Sequence, residues 1–174
     1  DLHRRRHSFP TRRSSDLQDV SKLPQEIRCL TFDWNFNQDI SNLPPFITHL
    51  TLGYRFNQQY YIPSNIKYLN LNCNNIHIIN SLPNSIVELE LSYNFNLEIN
   101  NLPTSIKKLV IVDDSCFYAD LNSLPDFIEE LQLNKKYNKR ILSIPKNLKK
   151  LICYKDYAYK DDFLHNDIEI CIYS

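Results

Sequence analysis

Proline punctuates this chain at a nearly constant interval. Pro24, Pro44, Pro63, Pro83, Pro103, Pro125 and Pro145 are separated by 20, 19, 20, 20, 22 and 20 residues. Each follows Leu or Ile: Leu23, Leu43, Ile62, Leu82, Leu102, Leu124 and Ile144. Three residues after each proline stands Ile27, Ile47, Ile66, Ile86, Ile106, Ile128 or Leu148. Six after it stands Leu30, Leu50, Leu69, Leu89, Leu109, Leu131 or Leu151, and eight after it Phe32, Leu52, Leu71, Leu91, Ile111, Leu133 or Cys153. Columns this regular require stacked, nearly identical units, each in contact only with its neighbours.

Positions six and eight alternate with mostly polar residues, so each unit is expected to hold one short, half-buried strand. Eleven after the proline comes Asn35, Asn74 or Asn94, with Asp114 and Asp156 in two other units and Arg55 and Lys136 interrupting the column. Together these positions give L-x-x-L-x-L-x-x-N, which resembles the leucine-rich repeat. The fold expected is an α/β-type repeat solenoid. It is a curved coil with a parallel β-sheet on its concave face and mostly irregular or short helical return segments. Each coil supplies a strand about 4.8 Å from the next. The Asn column is expected to lie in the interior and bond the backbone of its own and the next coil.

A second consensus follows the strand. Phe36-Asn37-Gln38, Phe56-Asn57-Gln58 and Phe95-Asn96 begin twelve residues after the proline, and Tyr137-Asn138 is a partial copy. Ile40 and Ile99 follow, then Asn42-Leu43-Pro44 and Asn101-Leu102-Pro103. The combination resembles the FNIP repeat, a short leucine-rich-repeat variant of social amoebae and of giant viruses that infect amoebae. The resemblance covers about residues 18–157, read as a solenoid of about seven coils. Residues 158–174 are expected to be a C-terminal tail or capping strand, since Ile168, Ile170 and Ile172 alternate with Glu169, Cys171 and Tyr173.

Residues 1–17 stand apart. DLHRRRHSFPTRRSSDL holds five arginines and no repeat column. It reads either as a basic arm for nucleic acid or, better, as an artefactual or disordered tail, because HSFPTRRSSDL resembles a translated sequencing-adapter remnant. Gln18-Asp19-Val20-Ser21-Lys22-Leu23-Pro24 then matches Gln38-Asp39-Ile40-Ser41-Asn42-Leu43-Pro44. Repeat sequence therefore begins in mid-unit, and the expectation is a fragment with at least one further coil upstream. The absence of Met fits that expectation. Without residues 1–17, 15 basic and 18 acidic residues remain, so the formal zero charge of the whole chain becomes −3.

Composition excludes several classes. A single glycine in 174 residues argues against glycine-rich phosphate cradles and nucleophile elbows. No apolar run approaches the ~20 residues that span a bilayer. Cys29, Cys73, Cys116, Cys153 and Cys171 include no C-x-x-C pair, so reduced thiols in a cytoplasmic protein are expected. Neither a metal nor another cofactor is expected. Asp113-Asp114 and Asp161-Asp162 read as loop solvation, and the two-residue excess of the Pro103 unit is placed at Asp113-Asp114.

Residues five, seven and nine after each proline flank the buried pair and are expected to face outward on the concave side. The candidate protein-binding residues there are His49, Tyr68, Asn70, Glu88, Glu90, Lys108, Glu130, Gln132, Lys150 and Tyr154, with Trp34 and Tyr54 at position ten. Glu88, Lys108, Glu130 and Lys150 alternate in sign, which in register gives either adjacent ion pairs or a charged recognition stripe. The aromatics are binding anchors or a packed row. Cys29 and His49 share a column; a reactive pair there lacks a third partner.

The resemblance implies a non-catalytic protein–protein interaction module. In giant viruses such repeats look like fusions to an F-box, which makes them the substrate-recognition part of a ubiquitin-ligase adaptor. The partner is then a protein of unknown identity, with no nucleic acid and no membrane, and the chain is a monomer in the cytoplasm, the host's if the source is viral. The alternative is the repeat portion of an effector enzyme such as a ubiquitin ligase, whose catalytic domain lies elsewhere. Cysteine-dependent thioester formation separates the two. The expected outcome is that this chain forms no alkylation-sensitive thioester with ubiquitin; formation of one, lost on cysteine alkylation, assigns the enzyme class.

Overall fold

The computed structural model describes residues 11–14 and 20–174. Its strands are β1 (Thr11–Ser14), β2 (Cys29–Phe32), β3 (His49–Leu52), β4 (Tyr68–Leu71), β5 (Glu88–Leu91), β6 (Lys108–Ile111), β7 (Glu130–Gln132), β8 (Lys150–Tyr154) and β9 (Glu169–Tyr173). Among the described residues they form a single parallel sheet in which spatial order equals chain order. The register repeats the sequence columns. Leu30, Leu50, Leu69, Leu89, Leu109, Leu131 and Leu151 are successive partners, and Ile170 continues the row. The fold is a right-through stack of about seven leucine-rich-repeat-like coils with few helices: α1 (Ile76–Ile79) and 3-10 turns at Val20–Lys22 and Lys160–Asn166.

Two turns shape each coil. The carbonyl of every repeat proline accepts the N–H three residues on, as in Ile47 to Pro44 at 3.2 Å and Ile106 to Pro103 at 3.2 Å. Proline supplies a fixed φ near −65° at the start of this turn, and the turn delivers the following Ile into the core. The second turn closes position twelve onto position nine: Phe56 N–H to Gly53 at 3.2 Å, Phe95 to Ser92 at 2.8 Å, Tyr137 to Asn134 at 3.1 Å. It reverses the chain off the strand and drives residue twelve inward. Coils are tied to each other by backbone bonds at position four, Lys67 N–H to Thr48 O at 2.8 Å, Val87 to Lys67 at 2.8 Å, and Lys107 to Val87 at 2.9 Å.

The core is one continuous column. Positions three, six and eight are buried in every coil. Position twelve is the wide layer, filled by Phe36, Phe56, Phe95, Tyr137 and Tyr157, with Phe117 taking the place in the longer coil. Ring centroids of Phe36 and Phe56 lie 6.2 Å apart, those of Phe95 and Phe117 6.3 Å, and those of Phe117 and Tyr137 6.3 Å. Such offset stacks add attraction beyond burial.

This corrects the Asn expectation. Asn35, Asn74, Asp114 and Asp156 are exposed and Asn94 is half-buried. The interior place belongs to the aromatic one residue later, because the second turn begins before position eleven and ends the strand's two-residue alternation. Within the column Asn74 does bond the next coil, its Oδ1 accepting from Asn96 N–H at 2.7 Å, but the side-chain bond that recurs from coil to coil falls to the Asn of Phe-Asn. Asn37 Oδ1 accepts from Asn57 N–H at 2.9 Å, Asn96 Oδ1 from Tyr118 N–H at 3.2 Å, and Asn138 Oδ1 from Ala158 N–H at 3.3 Å.

Two coils depart from the pattern and are repaired by buried polar groups. The Pro63 coil has Asn75 where others have a ring. Asn75 Oδ1 caps α1 by accepting from His77 and Ile78 N–H, and its Nδ2 donates to Gln58 O at 2.8 Å. The Pro103 coil accommodates its two extra residues at Asp113–Ser115: both aspartates are exposed and Ser115 turns inward. Asn134 Nδ2 of the next coil donates to Ser115 O at 2.9 Å and Phe117 O at 3.2 Å, which satisfies carbonyls that the insertion buries.

Four of residues 1–17 are described. β1 lies beside β2 through backbone pairing, Thr11 to Cys29 and Ser14 to Phe32. An open sheet edge offers N–H and C=O groups to any extended chain, whatever its side chains. The remainder of that segment, with the Gln18-Asp19 boundary, lies outside the described residues.

Gly53 earns its place by clearance. Its φ is negative, but a Cβ built there lies 1.7 Å from the Asp33 carbonyl oxygen and 2.6 Å from its carbon. Both are backbone atoms of the preceding coil, so no rotamer change relieves the contact. Gly53→Ala is expected to destabilise by about 1–3 kcal/mol through overpacking, read as a lower urea midpoint with an unchanged slope.

Candidate functional site

The outward sheet face divides into three parts. The first is aromatic. Trp34 and Tyr54, just past the ends of β2 and β3, have ring centroids 4.3 Å apart and are 54% and 42% exposed. His49 and Tyr68, paired residues of β3 and β4, stack at 4.0 Å with planes 13° apart, and Tyr68 stays 40% exposed. Tyr93 is 55% exposed. The rings therefore pack pairwise and still present a face: stacking and exposure coexist here.

The second part is a fixed polar cluster. Asn70 Nδ2 donates to Glu90 Oε1 at 2.7 Å, and Ser92 Oγ donates to Asn70 Oδ1 at 2.9 Å. Ser92 is buried, and this chain holds the Glu90 carboxylate in one orientation on the sheet beside half-buried Glu88.

The third part is charged. Glu88, Lys108, Glu130, Lys150 and Glu169 are consecutive partners across β5 to β9. Lys108 Nζ lies 3.0 Å from Glu130 Oε1 and Lys150 Nζ 3.6 Å from Glu169 Oε1. Gln132 is half-buried in the next column. Tyr154 is half-buried, with the Tyr173 ring edge-on at 5.7 Å. Tyr173 in turn donates its hydroxyl to Asp113 Oδ1 at 2.5 Å. Four positions expected to face outward are instead buried: Gly53, Ser92, Val110 and Asn134. Three of them stand at position nine, where the second turn starts and the backbone bends away from the face.

A further charged row, one residue before the strands, carries no hydrophobic column and escaped the sequence reading. Glu129 sits between two lysines, 2.7 Å from Lys149 Nζ and 2.9 Å from Lys107 Nζ. Its signal in the sequence is the coincidence of Lys107, Glu129 and Lys149 at the fourth residue after proline.

Four of the five thiols are held away from the thiolate form. Burial raises the Cys29 and Cys153 pKa values and pushes that of Cys73 up to about 11, while the hydrogen bond to Glu169 raises that of Cys171. Cys29 and His49 do share a column. Burial lowers the His49 pKa and raises that of Cys29, which opposes a thiolate–imidazolium pair. His49 Nδ1 lies 2.9 Å from Thr48 Oγ1. Among the described residues no group of three His, Cys, Asp or Glu side chains could hold a metal ion, and no helix is long and apolar enough to cross a membrane.

In-register parallel strands, short returns and a filled aliphatic interior define a leucine-rich-repeat-like solenoid. The family model of the FNIP repeat matches residues 61–94 and 120–155, and the chain is a short leucine-rich-repeat-like protein with that similarity. Among solved structures it is similar to CroV588, described as a novel circular LRR protein, with 26% identity and a TM-score of 0.54. The match covers 79% of this chain and 25% of that one, so the chain spans about a quarter of that structure's length. Comparison with curated proteins returns no match.

The Glu129 bridge predicts an acid limb. Hydrogen bonds from Lys149 and Lys107 lower its pKa from 4.5 to about 2. A carboxyl held low in the fold stabilises it fully above the unfolded value and loses that contribution as pH falls through the folded value. The melting midpoint is expected to fall between about pH 5 and pH 2. Glu129→Gln is expected to flatten that fall. Because the group keeps about a third of its side-chain surface in solvent (31%), about 1 M salt, with a Debye length of about 3 Å, is expected to reduce the difference between the two proteins.

Proposed function

We propose that this chain is a protein-recognition module whose outward sheet face receives its partner, with Trp34, Tyr54 and Tyr68 as anchors. The observation that carries this reading is the cluster of Trp34, Tyr54, Tyr68 and Tyr93, left 40–55% exposed along one side of the sheet, with Trp34 stacked on Tyr54 and Tyr68 on His49. Rigid aromatic side chains gain much contact area at small entropic cost, and Trp and Tyr dominate interface energetics. The sheet holding them is braced by a ladder on both sides, so little ordering is needed on binding.

His49, Asn70, Glu88, Glu90, Lys108, Glu130, Gln132, Lys150 and Tyr154 complete the proposed face. The Lys108–Glu130 and Lys150–Glu169 pairs neutralise one another across strands, so we assign them to register and rim specificity rather than to affinity. The resemblance to FNIP-repeat proteins supports a finer reading, in which the face selects substrates for an F-box-type ubiquitin-ligase adaptor in the cytoplasm and acts as a monomer without nucleic acid.

The test is affinity capture on the intact chain and on a Trp34→Ala/Tyr54→Ala variant, followed by Kd measurement on the purified partner. Loss of an aromatic anchor is expected to cost about 2 kcal/mol, roughly thirtyfold in Kd, with an unchanged circular dichroism spectrum and melting midpoint. Undiminished binding by the folded double variant refutes the assignment. Co-purification of the partner with a ubiquitin-ligase scaffold tests the adaptor reading.

A further inference from the structure

Position ten after each proline lies where the strand gives way to the second turn, at the margin of the sheet face. Along the stack it reads Trp34, Tyr54, Cys73, Tyr93, Asp113, Lys135 and Lys155. The margin is aromatic at one end and cationic at the other. Asp113, between the two ends, accepts the Tyr173 hydroxyl.

The two lysines differ from their neighbours. Lys108 and Lys150 on the sheet face carboxylates, as do Lys107, Lys146 and Lys149 on the flank. The Lys135 and Lys155 ammonium groups instead converge on the Tyr154 ring, at 4.7 and 5.8 Å from its centroid. Among the described residues neither has a carboxylate oxygen within 4 Å. The ring face attracts a cation, but it carries no net charge. Two like charges therefore lie within 6 Å of the centre of one neutral ring, and Lys136 beside them is exposed. An anion placed at the Tyr154 end of the margin is attracted by both. Tyr173, edge-on to Tyr154 at 5.7 Å, fixes the ring around which they gather.

Resting on the proposed protein-binding role, we infer that the margin takes an extended segment of the partner laid across the strands. An apolar or aromatic side chain of that segment sits on Trp34–Tyr54, and an Asp or Glu carboxylate sits between Lys135 and Lys155. Charge complementarity selects this occupant. From Tyr54 to Lys135 is four coil steps, about 19 Å at ~4.8 Å per step, which about six extended residues span. Glu88 and Glu90 lie on the sheet between the two ends, so the middle of the segment is uncharged or basic.

The probes are labelled peptides of ~10 residues in a Ser/Thr background, with one Trp and a Glu-Glu pair about six residues apart, made in both orders. Fluorescence anisotropy with the full chain is expected to show binding of at least one order. Lys135→Glu/Lys155→Glu is expected to weaken it about tenfold or more, and to bind the corresponding Lys-Lys peptide better than the original chain does. A Gln-Gln peptide is expected to bind as weakly as the charge-reversed variant does. Equal binding of Glu-Glu and Gln-Gln peptides, no binding of either order, or tighter binding of a single-stranded oligonucleotide than of any peptide overturns the inference. If Trp34→Ala/Tyr54→Ala abolishes partner capture while the lysine reversal leaves it intact, the inference fails and the protein-recognition role stands.

Discussion

Every property of this molecule depends on the coil-to-coil backbone ladder. One parallel strand per coil, spaced by hydrogen bonds, forces residues at the same repeat position into the same place in space. Leu30 through Leu151 become a continuous row because the ladder holds them in register. The interior is then not a set of separate contacts. Each aliphatic side chain packs on its own equivalents above and below, and the ladder and the core stabilise each other. An extra residue inside the strand would turn a coil's leucines outward. The two additional residues of the Pro103 coil accordingly lie after the strand, at Asp113–Ser115.

The same constraint explains where polarity is tolerated inside. A stack of rings at position twelve fills the widest layer, and a coil without a ring there must replace both volume and hydrogen bonds. Asn75 does so with a helix cap and a bond to the previous coil. In the long coil Phe117 supplies the ring two residues later and donates its N–H to Ser115 Oγ at 3.1 Å, while Asn134 of the next coil donates to the Ser115 and Phe117 carbonyls. Gly53 is the converse case: there the coils approach so closely that even a methyl group is excluded.

On the outside, register converts linear sequence into adjacent charge. Residues about 20 apart become neighbours, so Lys107, Glu129 and Lys149 make a bridge and Lys108 neutralises Glu130. Part of the charged surface is thereby compensated within the molecule. The proposed partner answers the aromatic end around Trp34 and Tyr54 and the cationic end around Tyr154. That contrast supports the proposed recognition role more strongly than total charge, which is near zero.

The sequence determined the coil length, the strand positions and the register, because proline and leucine columns of one period leave only one way to stack. It also placed Trp34, Tyr54 and Tyr68 on the surface and Glu88, Lys108, Glu130 and Lys150 in one row. It misplaced the Asn column, since a two-residue alternation stops at the second turn and spacing alone does not say whether residue eleven or twelve turns inward. Tertiary structure decided that choice in favour of the rings, buried Ser92, Val110 and Asn134, and brought Lys135 and Lys155 to one tyrosine. Those outcomes depend on turn geometry and on side-chain reach between coils, which periodicity along a single chain does not encode.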